Sequence, residues 1–275
     1  MATKPKNSRF PETVKIAQLN AQNSRLAMDD IRVSMTGMGI DAKALQEPYN
    51  SNGIIRGLGL NTKIILDTKT ITSRVKNRNP ISAIAVRNPE IKCLKLEHIC
   101  STHFTCVDIV RLPTRFHLIS AYMQYSDPIR DYLQQLEKIL ETLQGKEIII
   151  CIDAYATSTS WHRLTTSHSG RSEQRGEELD EFIAQHRLIV LNRTCNAPTF
   201  DNIHGQSNID VTIATNAIAS KVRNWRVHPN KINCDHRLIT FEITCTHQRI
   251  LTTQNNRFNM KRADWDAFRA HIINP

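Results

Sequence analysis

Five apolar residues, Ile148–Ile152, run directly into the carboxylate of Asp153, after which the sequence turns polar. A short apolar run of this kind is typical of a β-strand that is covered on both faces. An ionised carboxylate at the end of such a strand is costly to bury unless it is paired or bound to a metal ion. The stretch therefore predicts a packed sheet whose edge carries a functional site at Asp153.

Similar β-like segments recur along the chain and alternate with helical patterns. Apolar residues spaced three and four apart predict amphipathic helices over 26–40, 129–144 and 175–188. The predicted strands form nine segments, which begin at residues 14, 42, 81, 104, 116, 147, 188, 209 and 238. Strands of mixed character with helices between them predict an α/β fold with a two-layered sheet core flanked by helices.

The two ends of the chain differ from the rest in composition. Residues 1–13 are basic and polar, and they predict a flexible lead-in, not a signal peptide. Residues 14–247 hold all the predicted strands and form the expected domain. Residues 248–275 predict a linker and an amphipathic helix that lead to a downstream part of a longer protein. The longest apolar run, five residues, is too short to cross a membrane, so no membrane partner is predicted.

The chain is strongly basic, with a formal net charge of +10 and a pI of about 9.4. Such a charge favours an anionic partner, and nucleic acid is the commonest one. The basic residues are dispersed apart from a cluster at 73–80, so a solvated basic surface is the alternative interpretation. The seven cysteines form no CxxC pair, which favours reduced thiols over a disulfide framework or a zinc site.

Polar side chains that suit metal chemistry stand at the ends of several predicted strands. They are Asn20, Glu47, Asp153 and the adjacent Asp235 and His236, while Asp210 interrupts a further apolar strand. Glu47 is a hard oxygen ligand of the kind that Mg²⁺ prefers. His236 can act as a general base or stabilise transition-state charge, with Asp210 fixing its tautomer. Asp153 can orient or deprotonate water, and the set predicts metal-assisted hydrolysis of a phosphodiester.

Each of these residues also has a purely structural interpretation. Glu47 precedes Pro48 and can be a turn carboxylate, Asp235 can be a loop residue before a strand, and Asn20 alone indicates little. Asp153 is the strongest single indication because it follows a fully apolar strand. We favour the functional interpretation because the alternative needs a separate structural explanation for every residue of the set.

Six motifs resemble, in the same order, those of the endonuclease/exonuclease/phosphatase superfamily, whose members include apurinic endonucleases and DNase I. They are QLN (18–20), LQEPY (45–49), SAYMQYS (120–126), CIDAYATSTSW (151–161), SNIDVTIAT (207–215) and CDHRLITFEI (234–243). A closer resemblance is to the endonuclease domain of non-LTR retrotransposons, especially arthropod elements that insert at specific sites. It is carried by QEPY, RGEELDEFIAQHRLIVLN, APTF and RADWDAF.

The resemblance implies a DNase I-like fold, a four-layered α/β sandwich of two packed mixed β-sheets flanked by helices. It implies a Mg²⁺-dependent endonuclease, with Mn²⁺ able to substitute, that nicks double-stranded DNA. The nick would leave a 5′-phosphate and a 3′-hydroxyl that primes reverse transcription. The partners would then be the DNA target and a downstream reverse transcriptase in the same polyprotein, and the place of action would be the nucleus.

The same resemblance assigns roles to individual residues. The implied metal-side residues are Glu47, Asn20 and Asp235, and the implied catalytic residues are His236, Asp153, Asp210, Tyr122 and Tyr155. Tyr122 corresponds to a tyrosine that contacts the scissile phosphate. Tyr155 departs from the family pattern because relatives have an asparagine there, and Cys234 stands in place of a serine. A phenol donates one hydrogen bond and is bulkier than an amide, so Tyr155 places activity in question.

Residues near these motifs supply the predicted DNA contacts. They are Arg163, Trp161, Tyr125, His204 and Arg130. Basic side chains dominate affinity for the phosphate backbone, whereas a tryptophan is more often simply packed in the core. The segment 196–207 falls where relatives carry a β-hairpin that engages DNA grooves, and a plain connecting hairpin is the alternative.

Three other functions are compatible with this sequence. The domain could target DNA with weakened or no catalysis, because Tyr155 replaces the family asparagine. It could be an apurinic-site repair endonuclease, which would prefer an abasic site over intact duplex. Phosphoinositide phosphatases and sphingomyelinases use the same scaffold, but the basic charge and the retrotransposon-like segments argue against them.

Overall fold

The computed structural model describes residues 12–67, 80–164, 170–194, 197–230 and 232–245. The predicted lead-in, apart from its last two residues, and the predicted linker and helix at 248–275 lie outside the described residues. The same holds for the basic cluster at 73–80, apart from its final proline.

Sixteen strands and four α-helices make up the described fold. The strands are β1 (Glu12–Asn20), β2 (Ala42–Gln46), β3 (Asn50–Ser51), β4 (Ile54–Ile55), β5 (Lys63–Leu66), β6 (Ser82–Val86), β7 (Lys92–Lys95), β8 (Phe104–Arg111), β9 (Thr114–Tyr122), β10 (Ile148–Asp153), β11 (Leu188–Val190), β12 (Phe200–Asn202), β13 (Gly205–Ser207), β14 (Asp210–Thr215), β15 (Val222–Val227) and β16 (Ile239–Cys245). The helices are α1 (Arg25–Met38), α2 (Ile129–Thr142), α3 (Gly170–Gln185) and the short α4 (Asn216–Ala219).

Two six-stranded sheets form the centre of the molecule. The first sheet has the strand order β15-β16-β1-β2-β6-β5, and the second has the order β11-β14-β10-β9-β8-β7. Each sheet is mixed: β1 and β2 run parallel, as do β9 and β10, and the other neighbouring pairs run antiparallel. Strands β12 and β13 form a separate hairpin between β11 and β14 in sequence.

Alternation along the buried strands explains how the layers pack. In β10, Ile149 and Cys151 face the apolar core between the two sheets, whereas Ile148, Ile150 and Ile152 face α2 and α3. Helix α1 covers the outer face of the first sheet through Ala27, Met28 and Ile31. Helix, sheet, sheet and helix therefore form four layers, which confirms the predicted sandwich.

Buried glutamines cross-link the two sheets near one edge. Gln18 on β1 donates a hydrogen bond to the carbonyl oxygen of Ile152 at 3.2 Å, and Gln46 on β2 donates to that of Cys151 at 3.1 Å. Because buried amide groups are costly without partners, these bonds favour one relative placement of the sheets. They set the end of β10 opposite the ends of β1 and β2.

The predicted helices are present, with boundaries that differ by a few residues. The largest difference is in α3, which begins at Gly170 whereas 175 was expected. Three strands absent from the prediction, β5, β7 and β15, lie at sheet edges. Edge strands are only partly covered, so polar residues interrupt or flank their apolar ones, as in the sequences KCLK of β7 and KIIL of β5.

Among the described residues, no helix combines the length and the apolar character needed to cross a membrane. Five of the described cysteines are free thiols, namely Cys93, Cys100, Cys106, Cys151 and Cys234.

Candidate active site

The predicted strand-end residues converge at one edge of the sandwich. Asn20 ends β1, Glu47 follows β2 directly, and Asp153 ends β10. Asp210 does not interrupt β14 as predicted but is its first residue, paired in register with Asp153. Because β14 runs antiparallel to β10, its beginning lies at the same edge as the end of β10.

Asn20 connects the two sheets within the site. Its buried amide nitrogen donates to Glu47 Oε2 at 3.0 Å and to Asp153 Oδ2 at 2.6 Å. The amide oxygen accepts a hydrogen bond from the backbone N–H of Gln22 at 2.8 Å. With its oxygen engaged in this way, Asn20 orients the two carboxylates.

His236 lies in the loop before β16 and is held by the second sheet. Its Nδ1 lies 2.9 Å from Asp210 Oδ2, and its Nε2 lies 3.8 Å from Asp153 Oδ2. The His236 side chain is fully buried, and the Phe200 ring packs edge-on against the imidazole at 4.9 Å between ring centroids. The contact with Asp210 fixes the imidazole so that Nε2 faces Asp153 and the interior of the site.

The protonation of Asp153 and His236 is shifted in the same direction. Burial raises the pKa of Asp153 to about 7, since the nearby Asp210 adds to the effect and His236 offsets only part of it. Burial lowers the pKa of His236, but the Asp210 carboxylate outweighs it and raises that pKa to about 9. Asp153 and His236 therefore retain protons near neutral pH unless another cation balances the negative charge of the carboxylates.

The donor set fits a divalent metal ion. One ligand atom from each of Asp153, Asp210 and His236 lies within 4.8 Å of the others. Asp210 Oδ1 and His236 Nε2 are buried and lack hydrogen-bond partners within the described structure. Carboxylate oxygens are the preferred ligands of Mg²⁺. Glu47 supplies a further carboxylate near Asp153, because the amide of Asn20 donates a hydrogen bond to both.

Glu47 and Asp235 occupy different surroundings. Glu47 has a backbone φ of 42°, a left-handed conformation that is uncommon for glutamate and that turns the chain sharply after β2. Asp235 instead contacts Gln22, whose Nε2 lies 3.4 Å from Asp235 Oδ2 and whose Oε1 accepts the Asp235 backbone N–H at 2.8 Å. Asp235 is outside the Asp153–Asp210–His236 cluster, so its predicted role as a metal ligand stays a prediction.

Three tyrosines form one wall of the site. The rings of Tyr122 and Tyr155 meet edge-to-face at 6.1 Å, and those of Tyr155 and Tyr125 lie 5.9 Å apart. The Arg171 guanidinium lies over the Tyr125 ring at 4.8 Å. Tyr155 has a φ of 45°, and its backbone N–H donates to Asp153 Oδ1 at 3.3 Å. Burial raises the pKa of both Tyr122 and Tyr155 above the ordinary value, so both phenols stay protonated and can donate.

The predicted DNA contacts are distributed unevenly. Arg163 pairs with Glu173 at 3.1 Å, and Arg130 pairs with Glu178 at 2.9 Å, both partners being on α3. Trp161 is fully buried, and its indole N–H donates to the carbonyl oxygen of Asn208 at 3.1 Å. The predicted DNA contact of Trp161 is therefore corrected to a packing role.

The expected hairpin is present as β12 and β13, and it projects beside the site. Its tip exposes His204 and 94% of Ile203, while its base is anchored by the bridge between Phe200 and His236. Thr199, just before the hairpin, accepts the backbone N–H groups of Ile209 and Asp210 at 3.1 Å each. The hairpin is thus attached to the residues that carry the site.

Sequence reasoning missed several residues that shape the site. Gln22, Thr199 and Phe200 support Asp235, Asp210 and His236 through contacts that no strand periodicity indicates. Arg175 begins the motif RGEELDEFIAQHRLIVLN, and in the structure it is buried and donates a hydrogen bond to the backbone beside Asp153. A charged residue within the buried face of a helix was the available signal.

Comparisons with known proteins agree with this geometry. The family described as endonuclease-reverse transcriptase matches residues 116–240. The chain is 27% identical over 226 residues to the Pol polyprotein of the retrotransposable element R1 from Bradysia coprophila, covering 80% of the chain and 22% of that protein. It is 26% identical over 261 residues to a 115 kDa protein of the element R1DM from Drosophila melanogaster, covering 93% of the chain and 24% of that protein.

Solved structures show the same architecture. The endonuclease domain of TRAS1, a telomere-specific non-LTR retrotransposon, superposes with a TM-score of 0.72 at 24% identity, covering 84% of this chain and 98% of that one. An AP endonuclease from Leishmania major gives a TM-score of 0.64 at 12% identity, over 84% of this chain and 88% of that one.

The chain thus has the DNase I-like fold that these endonuclease structures share, as predicted. More narrowly, the predicted resemblance to endonuclease domains of non-LTR retrotransposons is confirmed by the R1 and TRAS1 similarities. The chain spans less than a quarter of the length of these R1 relatives.

Proposed function

We propose that the chain is a metal-dependent DNA endonuclease that hydrolyses one phosphodiester of a duplex target. The observation that carries the proposal is the buried Asp210–His236 pair facing Asp153 at the edge where Asn20 and Glu47 also end. A phosphodiester hydrolase needs groups that position water, hold a proton and balance phosphate charge. This constellation contains all three.

The roles of the residues follow from their placement. Asp153 orients the attacking water and accepts its proton, and Asn20 keeps that carboxylate directed into the site. His236, held by Asp210, places a protonated Nε2 where negative charge develops on the phosphoryl oxygens. The Tyr122 and Tyr155 hydroxyl groups remain protonated and are available to donate to the phosphate. As water bonds to phosphorus, the bond from phosphorus to the 3′ oxygen breaks, and the 3′ oxygen takes up a proton.

Mg²⁺ is the proposed cofactor, with Mn²⁺ able to substitute. Glu47, Asp153 and Asp210 are the carboxylates that would hold it, with Asn20 and Asp235 as further candidates on the same side. When bound, the ion supplies Lewis-acid stabilisation of phosphate charge. It also compensates the cluster of carboxylates that burial otherwise keeps partly protonated.

The proposed partner is double-stranded DNA. A net charge of +10 favours a polyanion, because Lys and Arg contacts with phosphate dominate nucleic-acid affinity. The exposed hairpin tip at Ile203 and His204 supplies candidate contacts. Further candidates are Tyr125, beside Tyr155, and the two arginines paired with α3, Arg130 and Arg163. By similarity to the R1 and TRAS1 proteins, the 3′-hydroxyl would prime reverse transcription by a downstream part of the same polyprotein. Action on chromosomal DNA would then take place in the nucleus.

Nicking of supercoiled plasmid tests the proposal directly. Wild-type protein with Mg²⁺ is expected to convert supercoiled plasmid into open circles, whereas Asp153→Ala and His236→Ala are not. DNA ligase is expected to reseal the open circles, because ligation requires a 3′-hydroxyl and a 5′-phosphate at the nick. Open-circle formation no faster in wild type than in these two variants would contradict the proposal.

A second candidate function follows from Tyr155, which replaces the family asparagine. If the phenol cannot position water, the domain would target DNA with weakened or no catalysis. Electrophoretic mobility shift and nicking assays on the same DNA distinguish the two functions. Tight binding with no Asp153-dependent nicking would favour targeting alone, and strong preference for an abasic duplex would instead favour a repair endonuclease.

A further inference from the structure

One buried arginine donates hydrogen bonds to backbone carbonyls at the ends of two strands that carry active-site residues. Arg175 lies in α3, and only 3% of the residue is exposed. Its Nη2 donates to the carbonyl oxygens of Met123 at 2.8 Å and Ala154 at 2.9 Å, and its Nη1 donates to that of Asp127 at 2.8 Å. Nε also points at the Ala154 oxygen, at 3.3 Å.

The bonded carbonyls belong to residues that directly follow site residues. Met123 follows Tyr122 at the end of β9, and Ala154 follows Asp153 at the end of β10. The two strands are parallel neighbours, and the Met123 N–H donates to the Asp153 oxygen at 2.9 Å. Arg175 therefore joins the two strand ends one residue beyond the groups proposed to act on the phosphate.

Only a guanidinium group suits this arrangement. Its planar fork offers five N–H donors in fixed directions, whereas a lysine ammonium is a compact charge on a flexible stem. Among the described residues, no carboxylate forms an ion pair with Arg175, so backbone carbonyls are its hydrogen-bond partners. Burying a cation on these terms is expensive, which argues against a merely incidental contact.

The next residue brings the helix unusually close to the same loop. A Cβ atom on Gly176 would lie 2.1 Å from the carbonyl oxygen of Thr157, so only glycine fits there. The Thr157 N–H donates to the Ser172 oxygen at 3.0 Å, and the Ser158 hydroxyl donates to Asp180. Helix α3 thus holds the loop that follows Asp153 at several points, from Ser172 to Asp180.

We propose that Arg175 is a positioning residue for the reaction, which holds the ends of β9 and β10 so that Tyr122 and Asp153 keep their relative placement at the scissile phosphate. The inference rests on the proposed endonuclease function. A role limited to docking α3 would lower stability without a specific effect on turnover. A positioning role lowers turnover in protein that is still folded.

The variant Arg175→Lys keeps the charge but cannot reach three carbonyls at once. We expect its nicking kcat to fall about 100-fold, because misplacement of reacting groups by about 1 Å has effects of that size. KM should stay within about threefold, since the groups proposed to contact DNA are untouched. Arg175→Gln, which retains a donor without charge, serves as a second variant and should fall at least as far. Arg187→Lys, on an exposed arginine just after α3, is the matched control and should match wild type.

Hydrogen exchange supplies a readout independent of activity. In Arg175→Lys, amides of 121–127 and 153–158 should exchange at least tenfold faster, while those of β1 and β16 keep wild-type rates. Unchanged kcat, or faster exchange spread over both sheets with kcat reduced only by the unfolded fraction, would overturn the proposal. If wild type itself shows no Asp153-dependent nicking, the endonuclease proposal fails. Hydrogen exchange then tests only whether Arg175 holds the ends of β9 and β10. Faster exchange in Arg175→Lys that is confined to 121–127 and 153–158 supports this role, and a wild-type exchange pattern overturns it.

Discussion

The substitution Asp210→Asn tests the electrostatics of the site with little change of shape. Asp210 Oδ2 lies 2.9 Å from His236 Nδ1, and both side chains are buried. In the native protein the pKa of His236 is raised from 6.5 to about 9, although burial by itself lowers it. An asparagine can still accept a hydrogen bond from Nδ1, but it carries no charge to stabilise the imidazolium.

The size of the effect follows from that shift. At about 1.4 kcal/mol per pH unit, the native shift corresponds to roughly 3 kcal/mol of preference for the imidazolium. Asp153, at 3.8 Å from His236 Nε2, retains part of the attraction. We therefore expect the pKa of His236 to fall by roughly 2 units in Asp210→Asn, to about 7, so that most of the imidazole is neutral at pH 7.5. Nicking at that pH should fall about fourfold, because a pKa near 7 leaves only about a quarter of the imidazole protonated, and the loss should grow as the pH rises toward 9.

The same shift predicts how stability depends on pH. A histidine whose folded pKa is raised stabilises the native state fully below its unfolded pKa, near 6.5, and loses this effect as pH rises through about 9. Metal-free Asp210→Asn should therefore be destabilised more at pH 6 than at pH 10. Urea unfolding at the two pH values measures this difference.

Histidine NMR titration of metal-free protein measures the pKa directly. Asp108→Asn is the matched control, because Asp108 lies 3.9 Å from His117 Nε2 on the second sheet and outside the site. It should leave both the His236 titration and nicking unchanged. The reasoning is refuted if His236 still titrates near 9 in Asp210→Asn, or if the Asp108 variant shifts it equally.

Three further predictions concern other features. Lys43 is fully buried, its ammonium lacks a hydrogen-bond partner within the described structure, and burial, with Arg87 and Arg32, lowers its pKa to about 7. Lys43→Met should raise the free energy of unfolding by roughly 1 to 3 kcal/mol at pH 7. Because the unfolded lysine keeps its proton to about pH 10.4, this gain should shrink as pH rises from 7 to 10, and a gain constant with pH in urea unfolding would contradict the assignment. Tyr155→Asn should raise the nicking rate about tenfold by restoring an amide at a left-handed φ that asparagine tolerates well, and equal rates would show that this position is not limiting. Chelation by EDTA should abolish nicking and Mg²⁺ should restore it, whereas nicking that persists in EDTA would exclude the proposed cofactor.

Much of the fold could be predicted because its central strands and helices have clear periodicities. The run Ile148–Ile152 is apolar throughout since both faces of β10 are covered, and α2 buries Ile129, Leu133 and Leu136 at spacings of three and four. Edge strands such as β7 and β15 were not predicted, because partial exposure permits polar residues in them. Their pairing depends on the neighbouring strand, which local sequence does not describe.

The candidate site was predicted where a carboxylate, amide or imidazole follows a buried strand. Asp153 met that criterion most clearly, and the structure brings Asn20, Glu47, Asp210 and His236 to it. The criterion does not distinguish residues that belong to the site from residues that only adjoin it. Trp161 turned out to be a core residue, because no local pattern distinguishes an indole that stacks on DNA from one that packs.

The sequence by itself determined which chemical groups stand at strand ends, because the cost of burying a charge acts on each residue wherever it lies. It also determined the layers, since periodicity shows which faces are apolar. Only the tertiary structure decided that β14 enters antiparallel beside β10, which places Asp210 against Asp153 and His236. The tertiary structure alone also revealed that Arg175 donates hydrogen bonds to two strand ends, because these bonds join residues about 20 and 50 positions apart. Such contacts depend on long-range packing, which no local pattern encodes.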